Sequence, residues 1–456
     1  MKKSALLLAL SLSLVAGGLT ACSNSDNNND GGQHGQQGNS IQPKLVKSGL
    51  SRAESKIADA QLNDFVKGQY DLNFDLIRKS ADQIANNNAM ISTFSIQVAL
   101  AMTWAGANAD TASEMASALH FDANTHEALN KLDKLISSKN KPEYVNDMGD
   151  GMVEKKDAVE IKTTNDLYFS TEKYSWADAW LEVLAVNYGA GLKEISFASD
   201  PEAARKYIND EISANTHDRI KNLLPENSID VDTRAVITNA IYFKAPWRDE
   251  VSKAEGKLSF HKLSGGDVDV DYLNAASDYA YMADQENLYQ AVSLPLRDND
   301  FSVMFILPGD GKFNEVQDAL NGDVMRNIFA NLSSDAEVRV KFPSYSFDTS
   351  LNLKAPLTAM GMVKAFANDA DFSKMTNEPN DLYIDEIYHK TFVGLHERGV
   401  EAAAATAVMM ADKASAMDPI ELTLDRPYFF VIYESDKKSP TNTPLFVGRV
   451  MDPSAK

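Results

Sequence analysis

Catalytic side chains are plentiful in this sequence, but they are not arranged for catalysis. Seven histidines are scattered over 456 residues, and no two stand at a metal-ligand spacing. There is no Gly-x-Ser-x-Gly elbow, no His-Glu-x-x-His, no phosphate-cradling loop and no Gly-x-Gly-x-x-Gly after a strand. Acidic residues number 65, but abundance alone does not pair an acid with a base. The one cysteine, Cys22, lies in the N-terminal export segment, so the folded body carries no disulfide, no thiolate chemistry and no zinc site built on sulfur. An enzyme is therefore not expected, and neither is a cofactor. The most unusual segment is Glu397 to Ala414. Read with period 2, one face is Val400, Ala402, Ala404, Thr406, Val408 and Met410: uncharged, free of proline, and small at the start. Such a face could enter the middle of an existing sheet, because it suits a packed interior and every residue keeps its ladder donor. Four consecutive alanines give little preference for the extended form, and by composition alone an ordinary helix is the simpler reading.

The bulk composition sets limits. A chain with 44% apolar and 24% charged residues can bury a large core. The net charge of -21 argues against a nucleic-acid partner, which would need a basic face. Lys131, Lys134, Lys139 and Lys141 read as a solvated face. At the start, Met1-Lys2-Lys3 followed by the apolar run Ala5 to Leu19 suits a secretory signal and is short for a membrane span. The run ends Leu19-Thr20-Ala21-Cys22, which resembles the bacterial lipobox. That resemblance implies cleavage before Cys22 and a lipid on its thiol. Ser23 resembles the outer-membrane sorting pattern if the cell is Gram-negative; otherwise secretion is expected. Residues 23–40 are Asn, Asp, Gly, Gln and Ser with His34 among them and cannot build a core. The expected division is a signal over 1–21, a lipidated Cys and tether over 22–49, and a globular body over 50–456.

The body has to position the unusual segment. Two helices are expected over 51–84, then Ile96–Trp104, then Ala112–Leu119 capped by Asp110-Thr111. Val159–Phe169 reads as a strand, Trp176–Tyr188 and Ala203–His217 as helices. Ala235–Phe243 is a near-continuous apolar run that suits a strand covered on both faces. Strands are expected at Ala291–Leu296, Phe301–Leu307, Ala336–Phe342, Ile384–Leu395, Tyr428–Tyr433 and Leu445–Val450, with a helix at Leu351–Met360 despite Pro356. Helices dominate the first half and strands the second, which implies an α+β body with large sheets.

Eight segments then stand in the order of one known family. Asn88 to Met102, with Ser92 and Ser95, resembles the start of the second helix of the serpins, and Gly106 to Met115 the segment after it. Asn239 to Trp247 resembles the strand that leads into their tryptophan. Leu294-Pro295 with Ser302 to Pro308, Met360 to Phe366, Asp425 to Phe429 and Leu445 to Pro453 also fit, and Glu397 to Thr406 resembles the reactive-loop hinge. Thr93 stands where Pro is usual, Arg426 and Tyr428 replace His and Phe, and Val400 stands where Thr is commoner. The resemblance implies the serpin fold, helices around three β-sheets with an exposed reactive loop near the C-terminus. It also implies a suicide-substrate inhibitor of serine proteases, monomeric, touching a membrane only through a lipid. Family spacing from Glu397 and Gly399 implies a reactive bond at Lys413-Ala414, suited to trypsin-like proteases. The loop from there to Pro427 is about three residues longer than in many relatives, so a cut near Ser415, Ala416 or Met417 stays open, with elastase-like, chymotrypsin-like or cysteine proteases as alternatives. Ser92, Ser95, Asn239 and His389 match the cluster under the sheet opening, and Trp247 the point where the loop first enters. The alternative is a non-inhibitory serpin acting as a binding or chaperone-like module.

Overall fold

A computed structural model describes residues 42–149, 152–171, 174–379, 381–401, 418–436 and 441–455. The main sheet has seven strands: β1 (Lys44–Val46), β2 (Glu160–Ser170), β3 (Leu192–Ile195), β4 (Ala235–Pro246), β5 (Tyr345–Asn352), β6 (Ile387–His396) and the two-residue β7 (Gly399–Val400). Their spatial order is β1-β3-β2-β4-β7-β6-β5, and β4 also pairs directly with β6. A six-stranded sheet includes Phe301–Pro308, Tyr428–Glu434 and Pro444–Val450, each buried along its whole length and thus covered on both faces. A four-stranded sheet is built from Val251–His261, Asp267–Ser277, Val338–Pro343 and Ile420–Thr423. A separate hairpin pairs Tyr144–Gly149 with Met152–Lys156. The fold is the expected mixture of helices and three large sheets.

Helix α2 (Thr93–Trp104) packs behind the main sheet, α1 (Asp59–Lys79) packs on α2 and on Pro444–Val450 of the six-stranded sheet, and α3 (Pro201–Asn215) lies on the other face of the main sheet. Helix α2 is buried from Thr93 to Thr103. A helix hidden on all sides shows no apolar stripe, and only its Ser92 cap marks its start: the Ser92 side chain accepts from the Ser95 N–H at 3.4 Å. Asp200 caps α3 in the same way, accepting from Ala203 N–H at 2.9 Å ahead of Pro201 in the first turn.

Several expectations need correction. The body begins before residue 50, because β1 already pairs with β3 and Lys44 bridges Glu194 at 3.0 Å. The helix over 109–119 has no side-chain cap; Thr111 Oγ1 instead accepts from the Asp371 N–H at 2.9 Å. Residues 345–352 form β5, and the helix after it is only Lys354–Ala359, with Pro356 in the first turn where its missing N–H has no intrahelical acceptor to lose. The helix expected over 176–188 is Asp178–Val183 followed by a π turn, Leu184–Tyr188. Lys139 is not on a solvated face: its side chain is 11% exposed and pairs with Asp300 at 3.2 Å and Asp436 at 2.5 Å.

Candidate functional site

Strands β4 and β6 run parallel and behave differently at their two ends. Over one half they pair directly, from Ile387↔Ile237 to Lys390↔Ala240. Over the other half β7 lies between them, antiparallel to both: Val400 faces Leu395 on one side and Ala245 on the other, and Gly399 faces His396 and Pro246. The sheet is thus closed at one end and parted by two residues at the other. Val400 is 2% exposed and joins the main core.

Local chemistry fixes this wedge. Gly399 has φ +141, and a Cβ there would fall 2.6 Å from Pro246 Cα, so no other residue fits. The Trp247 indole N–H donates to His396 O and its backbone N–H to Arg398 O, both at 2.9 Å. Glu397 pairs with Lys253 at 2.9 Å and Arg398 with Asp157 at 3.6 Å. Glu401, just past the last residue of β7, has φ +53, and its N–H donates to Gly394 O at 2.8 Å. The Glu401 carboxylate, 8% exposed, is ion-paired with Arg219, whose guanidinium lies over the Phe392 ring at 5.1 Å. Burial raises the Glu401 pKa, and Arg219 opposes that rise.

Under the closed half lies a buried polar cluster. The Ser92 N–H donates to His389 Nε2 at 3.1 Å, so the neutral ring carries its proton on Nδ1 and donates it to Asn239 Oδ1 at 2.9 Å. Burial lowers the His389 pKa to about 3, which keeps the ring neutral. Asn239 Nδ2 donates to Ser95 Oγ and, at 2.6 Å, to Asn165 Oδ1. Four of the residues expected together, Ser92, Ser95, Asn239 and His389, are therefore in one network, while Trp247 stands apart at the parted end. Asn165 was not anticipated; its signal was an Asn directly opposite Asn239 on the neighbouring strand. Ala402, Ala404, Thr406, Lys413, Ala414 and Cys22 lie outside the described residues.

A family model described as Serpin (serine protease inhibitor) matches residues 67–453. The chain belongs to the serpin family. An uncharacterised serpin-like protein of Thermococcus kodakarensis is 30% identical over 99% of both chains. Serpin B4 of Homo sapiens is 31% identical over 85% of this chain and 98% of its own. The native-state crystal structure of the thermophilic serpin tengpin superposes with a TM-score of 0.74 at 24% identity, covering 90% of this chain and all of tengpin, and shares the fold. Serpins are commonly protease inhibitors, and nothing in this serpin's described residues groups three or more metal-ligating side chains around a point. None of its described helices is long and apolar enough to cross a membrane. At the hinge, β4 and β6 are already separated by Gly399 and Val400.

Proposed function

We propose that this serpin inhibits serine proteases as a suicide substrate, is not itself an enzyme, and acts as a monomer held at the cell envelope by a lipid on Cys22. The protease serine Oγ attacks the Lys413 carbonyl, and its proton passes to the protease's own base. The bond from the Lys413 carbonyl to the Ala414 nitrogen breaks, the Ala414 amine takes up that proton, and an ester joins Lys413 to the protease. Loop insertion then carries the ester-linked protease away before water attacks the ester. The one observation that supports this most is the parted end of the main sheet, where Val400 already holds the register of an inserted strand.

Continued in the same register, Ala402 would fall between Val393 and Phe243, Ala404 between Thr391 and Ile241, and Thr406 between His389 and Asn239. The direct pairing of β4 with β6 would be replaced by two antiparallel ladders, a gain in backbone hydrogen bonds that lets the uncut state be metastable and held by a barrier. The apolar or small face of the loop would meet the core without burying a charge.

The reading is tested by incubating the full chain with trypsin and with elastase-like and cysteine proteases. The expected result is an adduct with trypsin that survives SDS, a rise in melting temperature on cleavage, and a loop fragment beginning at Ala414 by mass spectrometry. Clean clipping with no adduct and no gain in melting temperature would refute it, and cleavage at Met417 alone would move the reactive bond.

A further inference from the structure

The slot that the loop would enter is roofed from the outer face of the sheet. After α3 the chain runs across that face as a strap, residues 216–224. Its shape is fixed locally: Ile220 N–H donates to Thr216 Oγ1 at 3.1 Å, and Asn209 both donates to Leu224 O and accepts from Leu224 N–H at 2.9 Å. Ile220, Leu223 and Leu224 are buried in a small apolar cluster with Val236 and Ala240 of β4, against which Tyr388 of β6 packs. Lys390 of β6 donates to Lys221 O at 3.2 Å. The strap therefore bridges β4 and β6 directly above their closed half.

Two strap side chains stand over the first gap beyond the wedge. Extended past Val400, which lies between Leu395 and Ala245, the same register would put residue 403 between Phe392 and Tyr242 on insertion. His217 packs edge-on against Tyr242, with ring centroids 5.0 Å apart, and is held by Glu160 at 2.7 Å. Arg219 covers Phe392 and pairs with Glu401, whose φ of +53 interrupts the extended backbone directly after β7. A non-glycine residue at that φ is held there by its surroundings, and for Glu401 these are the Gly394 carbonyl and Arg219.

We infer that Arg219 is a positioning residue for loop insertion: paired with Glu401, it holds that residue at positive φ beyond the end of β7 and covers the place that inserting residues would have to take. The inference rests on the trapping reading above and names a residue that sets its rate. The first step of insertion then requires Glu401 to pass from positive φ to extended backbone and Arg219 to withdraw from Phe392. The strap and the hinge are released together, since one ion pair joins them.

The test is a double-mutant cycle on the full chain with Arg219→Ala, Glu401→Ala, the two combined, and the exchange Arg219→Glu with Glu401→Arg. The uncleaved protein is warmed, and its conversion to a heat-stable, loop-inserted form is followed over time. Each single variant is expected to convert about tenfold faster, the scale of one charge-assisted hydrogen bond lost before the barrier. The combined variant is expected to convert no faster than either single one, and the exchange to return to within about twofold of the parent. The cleaved forms of all variants are expected to melt together, because the pair is argued to hold the barrier and not the product. Unchanged rates in the single variants, multiplied rates in the combined one, or an equal loss of stability in the cleaved forms would overturn the inference. If the parent itself gains no stability on cleavage, the trapping reading fails first and takes the latch with it. A parent that gains stability while the variants keep its rate sinks the latch alone.

Discussion

The two halves of the β4–β6 pair are built from different materials. The closed half is polar underneath: His389, Asn239, Ser92, Ser95 and Asn165 satisfy one another in a buried network. The parted half is apolar underneath, with Val400 set in the core and the ladder carried by backbone alone. A buried polar network is costly to leave half-made, whereas an apolar seam accepts any small uncharged residue. The contrast suggests that the closed half holds the uncleaved state in place while the parted half keeps the way in open.

The largest expected effect is at the parted half. Val400→Arg would bury an unpaired guanidinium, so it is expected to abolish the SDS-stable adduct with trypsin while leaving cleavage intact, as seen on a gel. Adduct at parental yield would break the comparison. In the closed half, Asn239→Ala leaves the buried His389 Nδ1–H without its acceptor and removes the amide that donates to Ser95 Oγ and Asn165 Oδ1, and is expected to cost about 2–3 kcal/mol in chemical unfolding of the uncleaved form. A loss below about 0.5 kcal/mol would mean the network carries little of the native state.

A smaller effect follows from pH. The folded His389 pKa lies near 3, below the unfolded value near 6.5, so the unfolded chain binds the extra proton first. The contribution is full above about pH 6.5 and is lost as pH falls toward 3, with a slope of at most ~1.4 kcal/mol per pH unit. Burial lowers His126 to about 4 and adds a loss in the same window. The check is therefore the difference between parent and His389→Gln, whose stability should fall less steeply between pH 6 and 4; identical slopes would remove His389 from the account. Smallest of all, Lys253→Ala breaks the solvent-exposed pair with Glu397 and is expected to leave the melting temperature unchanged within error.

Legibility from the residues was uneven. Ser92, Ser95, Asn239 and His389 could be grouped through the family resemblance, and the described structure does put them in contact. Strand β5 was missed although Tyr345, Phe347, Thr349 and Leu351 alternate inward, because its outward Ser, Asp and Asn residues look like a loop. The strand Val251–His261 is exposed at most of its positions, so it had no apolar period to read. The burial of Lys139 had no local signal at all, since Asp300 and Asp436 are 161 and 297 residues away in sequence. Patterns within about ten residues were visible in the residues themselves; partnerships across the fold were visible only where the family resemblance supplied them.

The edge strand β1 has a bearing on how the molecule would be held. Lys44 sits beside Glu194, Glu194 beside Phe169, and Phe169 opposite Ala235, the first residue of β4. The hinge pairs with the last residues of β4, roughly 35 Å away at the rise of an extended chain. A pull applied through the residues before Lys44 would therefore enter the main sheet at the end of β4 opposite the wedge of Gly399 and Val400.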